Sequence, residues 1–191
     1  MLQTLTELNT LLHGVTVTMS GYSDQNVRIA YQGNQQPAWN REDDVIFIYI
    51  QPVEDDYAKN IDTVAINPTP ISGEPGFLMD VNHAFTRVLA VDFQVYGPNS
   101  YDTCVLLKYK IGTPAIRNVL AVQQAYPLPH IPQPKRVPYL FNRQWFDRSD
   151  LQVKMNVKSL IEEFAYSFAD ATINLYNQDG QFGTIVVDEG S

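Results

Sequence analysis

The N-terminal segment carries its leucines at helical spacing, at positions 2, 5, 8, 11 and 12. Thr4 and Glu7 have the spacing of a capping box, in which each side chain binds the backbone of the other residue. The pattern predicts a helix that ends near Gly14. Apolar residues then alternate with threonines at Val15, Val17 and Met19, which indicates a short extended piece.

Further along, the apolar positions change to the pattern of strands. The segments Val27–Tyr31, Ile61–Ile66 and Arg87–Tyr96 are each predicted to be extended, and Gly97-Pro98 ends the last of them. Val45–Ile50 is apolar at nearly every position, which is typical of a strand that is covered on both faces or lies centrally in a sheet. The Pro- and Gly-rich residues from Asn67 to Phe77 are predicted to form a loop.

Two helices are predicted after Gly97-Pro98. Asn99 or Ser100 can cap the first one, and its apolar side is expected to comprise Val105, Leu106, Tyr109 and Ile111. The break Gly112-Thr113-Pro114 separates it from a second helical piece. That piece contains apolar residues at Ile116, Val119, Leu120 and Val122.

A proline-rich arm from Gln123 to Tyr139 follows, with prolines at 127, 129, 132, 134 and 138. Proline has no backbone N–H, so we expect an extended arm that makes no regular ladder. After Trp145, residues 149–157 alternate with one apolar face, which predicts a half-buried strand. Asn177-Gln178-Asp179-Gly180 is a strong turn signal between Ala171–Tyr176 and Phe182–Val187, which predicts a hairpin.

These elements together predict an α+β fold: a mixed, mainly antiparallel sheet packed by two or three helices, with the proline-rich arm extended. With 191 residues the chain suits one substantial domain, and we expect residues 1–191 to form a single folding unit.

Composition narrows the functional classes. A net charge of −8 argues against tight binding of a nucleic-acid phosphate backbone, because such binding needs clustered Lys and Arg. The single cysteine excludes an internal disulfide, and neither a signal peptide nor an apolar stretch of membrane-spanning length is recognisable. We expect a protein that is made in a cytoplasm and does not enter a membrane.

Organised catalytic chemistry is not recognisable in the sequence. Cys104 lies among apolar residues of a predicted helix, which favours a buried thiol. The histidines His13, His83 and His130 are dispersed and lack zinc spacing. The acidic runs Asp43-Asp44 and 54–56 lack the order of a calcium loop, so we expect solvated loops, and we interpret 73–76 as a turn. The expectation is a protein that is not an enzyme and has no cofactor or metal.

Positive charge is concentrated in one place, at Lys135-Arg136 with Arg143 and Arg148 nearby. This cluster can form a solvated arm, contact an acidic neighbouring subunit or contact DNA. The sequence leaves these three possibilities open.

One stretch carries a resemblance. It comprises Pro127-Leu128-Pro129, then Trp145, Arg148, Ser149-Asp150-Leu151, Val153 and Met155, and a second alternating strand near Ile173. With these residues the chain resembles the tail-terminator, or neck, proteins of long-tailed bacteriophages, best over 127–176. Trp145, Arg148, Asp150 and Leu151 are the motif; on physical grounds alone, Trp145 can anchor the core while Arg148 pairs with Asp147 or Asp150.

The resemblance implies a structural virion protein that terminates the tail tube and joins it to the head connector, as a homo-oligomeric and usually hexameric ring. Genomic DNA would pass through the lumen without specific binding, and acidic loops would line it. Arms and hairpins suit contacts between subunits. The interface candidates are Pro127, Pro129, His130, Pro132, Lys135, Arg136, Asn177 and Asp179. The apolar stretch from Leu160 to Phe168 is an expected extra contact surface.

Other functions stay open at this point. A head-completion or connector adaptor and a tail-tube subunit belong to the same structural class. A small hydrolase that uses Cys104 with His83 is an enzymatic alternative. A receptor- or carbohydrate-binding module would use an exposed Trp39 and some of the eleven tyrosines.

Overall fold

The structure is a computed structural model that describes residues 4–31, 38–53, 61–70, 77–167, 170–177 and 180–188. The chain divides into two compact units. The helical unit comprises Leu2–Asn60 and Phe85–Ser159, and the β unit comprises Ile61–Ala84 and Leu160–Ser191 with Met1. That the whole chain folds as a single domain stays a prediction.

Along the described residues, three α-helices and eleven strands follow one another. In chain order they are α1 (Leu5–Ser20), β1 (Val27–Ile29), β2 (Val45–Pro52), β3 (Ile61–Pro70), β4 (Phe77–Tyr96), α2 (Ser100–Lys110), α3 (Pro114–Val122), β5 (Ala125–Pro127), β6 (Lys135–Arg136), β7 (Tyr139–Phe141), β8 (Gln144–Phe146), β9 (Arg148–Ser167), β10 (Asp170–Asn177) and β11 (Gly180–Asp188). A short 3₁₀ turn, Asp24–Asn26, precedes β1.

The sheet of the helical unit has the strand order β1-β2-β4-β9-β5, with β6 also paired to β9. β1 runs parallel to β2, with Val27 opposite Ile46, whereas β2 runs antiparallel to β4, with Val45 opposite Tyr96. β5 and β6 are antiparallel to β9. The α+β class with a mixed, mainly antiparallel sheet and three helices is therefore confirmed, as is the interior position of β2.

The first helix begins as predicted and ends later. The Thr4 side chain accepts from the Glu7 N–H at 3.2 Å, and the Thr4 N–H donates to Glu7 at 2.8 Å, which lowers the pKa of that carboxyl. The end near Gly14 and the extended piece after it were wrong: α1 continues to Ser20, and Gly21 caps it in the left-handed conformation. Val15 and Met19 continue the buried stripe of Leu8 and Leu12 at i+3 and i+4 spacing. The free energy gained by this packing outweighs the unfavourable helix propensity of Gly14.

The helices cover one face of this sheet. A single apolar cluster joins all three helices to alternate residues of β2, β4 and β9, including Ile48, Phe93 and Val153. In α2 the buried residues are Ser100, Thr103, Cys104 and Leu107, with Ile111 just beyond the helix. The predicted apolar side was therefore wrong in part, since Leu106 and Tyr109 are exposed. Val119 and Val122 of α3 are exposed as well.

Two strands extend beyond their predicted bounds. β4 begins at Phe77 and β9 continues to Ser167, so residues 160–167 of the stretch predicted as an extra contact surface belong to a strand, and Phe168 lies outside the described residues. β3 runs through Pro68 to Pro70, which was predicted to be loop. Among the described strands β3 pairs with β4 alone, and proline is tolerated in such an edge strand. The turn assigned to 73–76 lies outside the described residues.

In the β unit, β10 and β11 form an antiparallel hairpin in which Asn177 lies opposite Gly180. This confirms the predicted hairpin, although Asp179 lies outside the described residues. None of the described helices is both long and apolar enough to cross a membrane.

Candidate functional site

The proline-rich arm is held along β9, which corrects the expectation that it makes no ladder. Ala125–Pro127 pairs with residues 155–157, and Lys135–Arg136 pairs with Ser149 and Asp150. The Leu128 N–H adds a bond to the Lys154 carbonyl at 2.9 Å. Proline removes a donor only at its own position, so the residues between the prolines still pair. The arm therefore follows the edge of β9 in two short ladders.

Between those ladders lie residues 128–134, which we call the proline segment. Pro129, His130 and Pro132 are exposed, whereas Ile131 packs partly on the core and Pro134 is buried. Of the predicted interface residues, these three exposed ones and the exposed Lys135 and Arg136 are grouped by the structure. Pro127 is half-buried in its ladder, and Asn177 belongs to the β unit.

The strands β7 and β8 form a small hairpin directly after the arm. Its two-residue turn, Asn142-Arg143, has φ values of 47° and 62°, as a type I′ turn requires. Leu140 lies opposite Trp145, and Tyr139 lies opposite Phe146. Side chains alternate along a strand, so the two pairs occupy opposite faces of the hairpin. The Leu140–Trp145 pair, which we call the outer pair, is 53% and 59% exposed.

Trp145 therefore does not anchor the core, although that was one of the two predicted roles. The strand that follows it is buried at Leu151, as expected, and Arg148 binds Asp150 with two hydrogen bonds of 2.7 and 2.8 Å. Arg148 also lies over the Tyr96 ring, 5.5 Å from its centroid. Arg136 lies 3.6 Å from Asp147. The predicted positive cluster is thus partly neutralised by its own carboxylates.

The sheet face away from the helices, which we call the open face, carries an aromatic cluster at one end. The rings of Trp39, Phe47 and Tyr96 lie 5.1 to 5.9 Å apart between centroids. Arg28 lies over Trp39 and Phe47 at 5.6 and 5.9 Å. Such ring pairs and cation–π contacts each contribute about 1 kcal/mol. Trp39 is half-buried here, so the exposed Trp39 expected for a carbohydrate-binding module was wrong.

A pocket of about 410 Å³ opens beside this cluster. It is lined by Ala38, Trp39, Tyr96, Tyr139 and Phe146, so the inner face of the β7–β8 hairpin forms one wall. The Nε1 atom of Trp39 is buried and has no hydrogen-bond partner. Burying an amide-like donor without a partner costs about 1–3 kcal/mol, so the position of Trp39 in this cluster carries a local free-energy cost.

The loop that carries Trp39 is positioned by Gly97 and Asp44. Gly97 has φ of 115°, and a Cβ there would lie 2.7 Å from the Asp43 carbonyl and closer still to the Asp44 carboxylate. That carboxylate accepts from the Asn99 N–H at 3.0 Å and from its side-chain amide at 2.8 Å. The Asp43-Asp44 run is therefore a structural contact and not merely a solvated loop. The second acidic run, 54–56, lies outside the described residues.

A polar network occupies the middle of the open face. Asp92 accepts from the side-chain amides of Gln51 on β2 and Gln152 on β9, at 2.9 and 2.8 Å. The network ties three neighbouring strands through side chains.

Of the groups considered for catalysis, Cys104 belongs to the helical unit and His83 to the β unit. Cys104 is fully buried, and burial, with a smaller effect of Asp150, raises the pKa of its thiol to about 12. His13 contacts the Val27 carbonyl, and His83 bonds Thr63 in the β unit. Within the described ranges no group of three or more His, Cys, Asp or Glu side chains can hold a metal ion.

Sequence reasoning missed the aromatic pocket, because its walls come from three separate segments: the loop at 38–39, the end of β4 and the β7–β8 hairpin. A local signal was present only in Gly97, whose lack of a side chain permits the close approach. No protein-family model matches the chain, and no curated protein matches it.

Proposed function

We propose that this chain is a structural virion protein that terminates the tail tube of a long-tailed bacteriophage and joins it to the head connector as a hexameric ring. The sequence resemblance around Trp145 supports the place in the virion. One structural observation carries the assembly role: the outer pair, Leu140 and Trp145, is presented to solvent on a hairpin that has its other face against the pocket.

An exposed leucine alone would carry little weight, because folded proteins expose many apolar atoms. A tryptophan that is 59% exposed beside a leucine that is 53% exposed is different. Trp is strongly enriched among residues that dominate binding energy at protein interfaces. The short ladder and the type I′ turn hold the two side chains together, so little entropy is lost when a neighbouring subunit covers them.

The proposal is non-enzymatic, and the geometry of the described groups supports this. A nucleophile must be exposed and activated by a nearby base. Cys104 is buried with a raised pKa, and its hydrogen bond is to the Ser149 carbonyl at 3.5 Å. The hydrolase alternative paired it with His83, whose Nδ1 lies 3.0 Å from the Thr63 hydroxyl.

DNA is a passing occupant of the lumen in this proposal and is not bound specifically. The net charge of −8 opposes tight phosphate binding, and Arg148 is already committed to Asp150. The proposed protein is assembled in the host cytoplasm, resides in the virion neck and does not contact a membrane.

Native mass spectrometry and electron microscopy of the purified protein test the proposal. A terminator is expected to form closed rings of six copies that do not stack without limit. Long tubes would favour a tail-tube subunit, and a monomer at all concentrations would contradict the proposal. Co-purification with virions, at the position between head and tail, separates a terminator from a soluble assembly factor.

Removing the outer pair tests the surface itself. We expect Leu140→Ser with Trp145→Ser to raise the concentration needed for half-assembly by about tenfold or more, since each is a large apolar contact. Val119→Ser is the matched control, because Val119 is 49% exposed on α3, away from the hairpin. Equal effects of the two variants would rule out the hairpin as the assembly surface.

A further inference from the structure

We infer that the aromatic pocket binds the proline segment of a second copy of this chain, so that each subunit inserts its segment into the pocket of its neighbour. This inference rests on the proposed ring and specifies one of its contacts. The chain carries both surfaces: the pocket presents aromatic rings, and the segment presents exposed prolines.

The pocket has the features by which proteins bind proline-rich peptides. Such peptides adopt the polyproline II conformation, which has no internal hydrogen bonds and presents its carbonyls outward. Aromatic grooves accommodate the proline rings, and ring donors bind the carbonyls. Here four of the five described residues that line the pocket are aromatic, so proline rings can pack against them.

The proline segment supplies the matching ligand. Pro129 and Pro132 project into solvent three residues apart, with His130 between them also exposed. Three residues make one turn of polyproline II, so the two rings lie on one side of such a helix. Both ends of the segment are fixed to β9, at Leu128 by the Lys154 carbonyl and at Lys135 opposite Asp150. The segment is therefore ordered before it binds, which reduces the entropy cost of association.

The same fixation excludes the segment from its own pocket. The structure describes every residue from 128 to 134, and none of them lines the pocket. Reaching it would require both ladders on β9 to open. A segment from another copy meets no such obstacle. Because the donor surface and the acceptor surface differ, the contact is heterologous, and repeated contacts of this type generate a closed ring when the rotation permits.

Alanine substitutions in the segment test the inference. We expect Pro129→Ala with Pro132→Ala to raise the concentration for half-assembly of the ring by about tenfold, as loss of a central interface contact does. Pro138→Ala is the matched control, because Pro138 is an exposed proline of the same arm beyond the second ladder. Rings that are as stable in the double variant as in the control would overturn the inference.

Disulfide trapping identifies the occupant of the pocket. Ala38→Cys places a thiol at the pocket, and His130→Cys places one on the segment. We expect a mixture of the two variants, under mild oxidation, to give a covalent dimer that neither variant gives alone. Cys104 is buried and does not compete. Arg117→Cys, exposed on α3, replaces His130→Cys in the control mixture, which should give none.

The two proposals fail in different ways. Absence of rings from the unaltered protein contradicts the proposed function and this inference together. Rings that respond to the outer pair, but give no trapped dimer between positions 38 and 130, leave the function standing and overturn the inference.

Discussion

The two faces of the sheet in the helical unit are built on different principles. The covered face meets the helices through aliphatic side chains such as Ile48 and Val153, which are close-packed and almost fully buried. The open face has aromatic rings, two guanidinium groups and an Asp92 network, all of which depend on direction as well as volume. The first face is filled by apolar side chains of the three helices. The second ends in a pocket, and its Trp39 keeps a buried donor that lacks an acceptor.

The difference teaches where stability and function lie in this molecule. Close-packed apolar contacts contribute most of the free energy of folding and tolerate little loss of volume. Directional contacts contribute less each, but they hold specific groups in place. Four changes test this division between the two faces.

The largest effect is expected on the covered face. Phe93→Ala removes one of the largest fully buried side chains and should lower the free energy of unfolding by about 3–5 kcal/mol. The neighbouring Gln94 lies on the open face, and Gln94→Ala should change the free energy of unfolding by about 0.5 kcal/mol or less. Urea unfolding followed by circular dichroism measures both, and similar losses for the two would abolish the distinction between the faces.

A smaller effect is expected where the Trp39 loop approaches β4. Gly97→Ala forces a left-handed φ on a residue with a Cβ and presses that atom against the Asp43 carbonyl. We expect a loss of about 2–4 kcal/mol and a change in Trp39 fluorescence. Gly112→Ala is the control, because its added Cβ would meet only the Tyr109 carbonyl at 3.6 Å. An unchanged Trp39 environment would show that Gly97 does not position the loop.

The polar network of the open face should contribute less again. Asp92→Ala leaves the amides of Gln51 and Gln152 without their acceptor and should cost about 1–2 kcal/mol. If Gln51→Ala alone lowers the free energy of unfolding by the same amount and causes no further loss when combined with Asp92→Ala, Gln51 and Asp92 act as one unit. Additive losses would mean that the hydrogen bond contributes nothing measurable.

The smallest effect concerns the thiol beneath the covered face. Burial raises the pKa of Cys104 from 9.0 to about 12, so between these values the unfolded chain releases a proton that the folded chain retains. The associated stability is present below pH 9 and is lost as pH rises toward 12, by about 1 kcal/mol at pH 10. Subtracting the pH profile of Cys104→Ala isolates this contribution from tyrosine titration. A difference that does not change with pH would contradict the burial of the thiol.

Local patterns were sufficient for much of the fold. The capping box at Thr4, the apolar run of β2 and the alternation after Ser149 depend on neighbouring residues, and all three are confirmed. The end of α1 was mispredicted because Gly14 and the threonines have weak helix propensity, whereas Val15 and Met19 pack on a distant sheet. Local propensity could not anticipate that tertiary contact.

The candidate site was less predictable for the same reason. Arg148 and Asp150 are two residues apart, and their pairing was one of the two alternatives predicted for Arg148. The exposed Trp39 of the carbohydrate-binding alternative and the core role considered for Trp145 were both wrong, because the burial of Trp39 depends on Tyr96, more than 40 positions away, and that of Trp145 on which side of the hairpin it occupies. The unsatisfied Nε1 of Trp39 is visible only once all of its surroundings are placed.

The proline arm also limits how the long β9 strand can meet other chains. A strand with an unpaired edge offers a row of donors and acceptors on which further strands can add without end, which is a route to aggregation. Along β9 the arm occupies part of that edge at two ladders, and its own outer side is interrupted by prolines that cannot donate. The arm therefore protects part of this edge from the open-ended addition of strands from other chains.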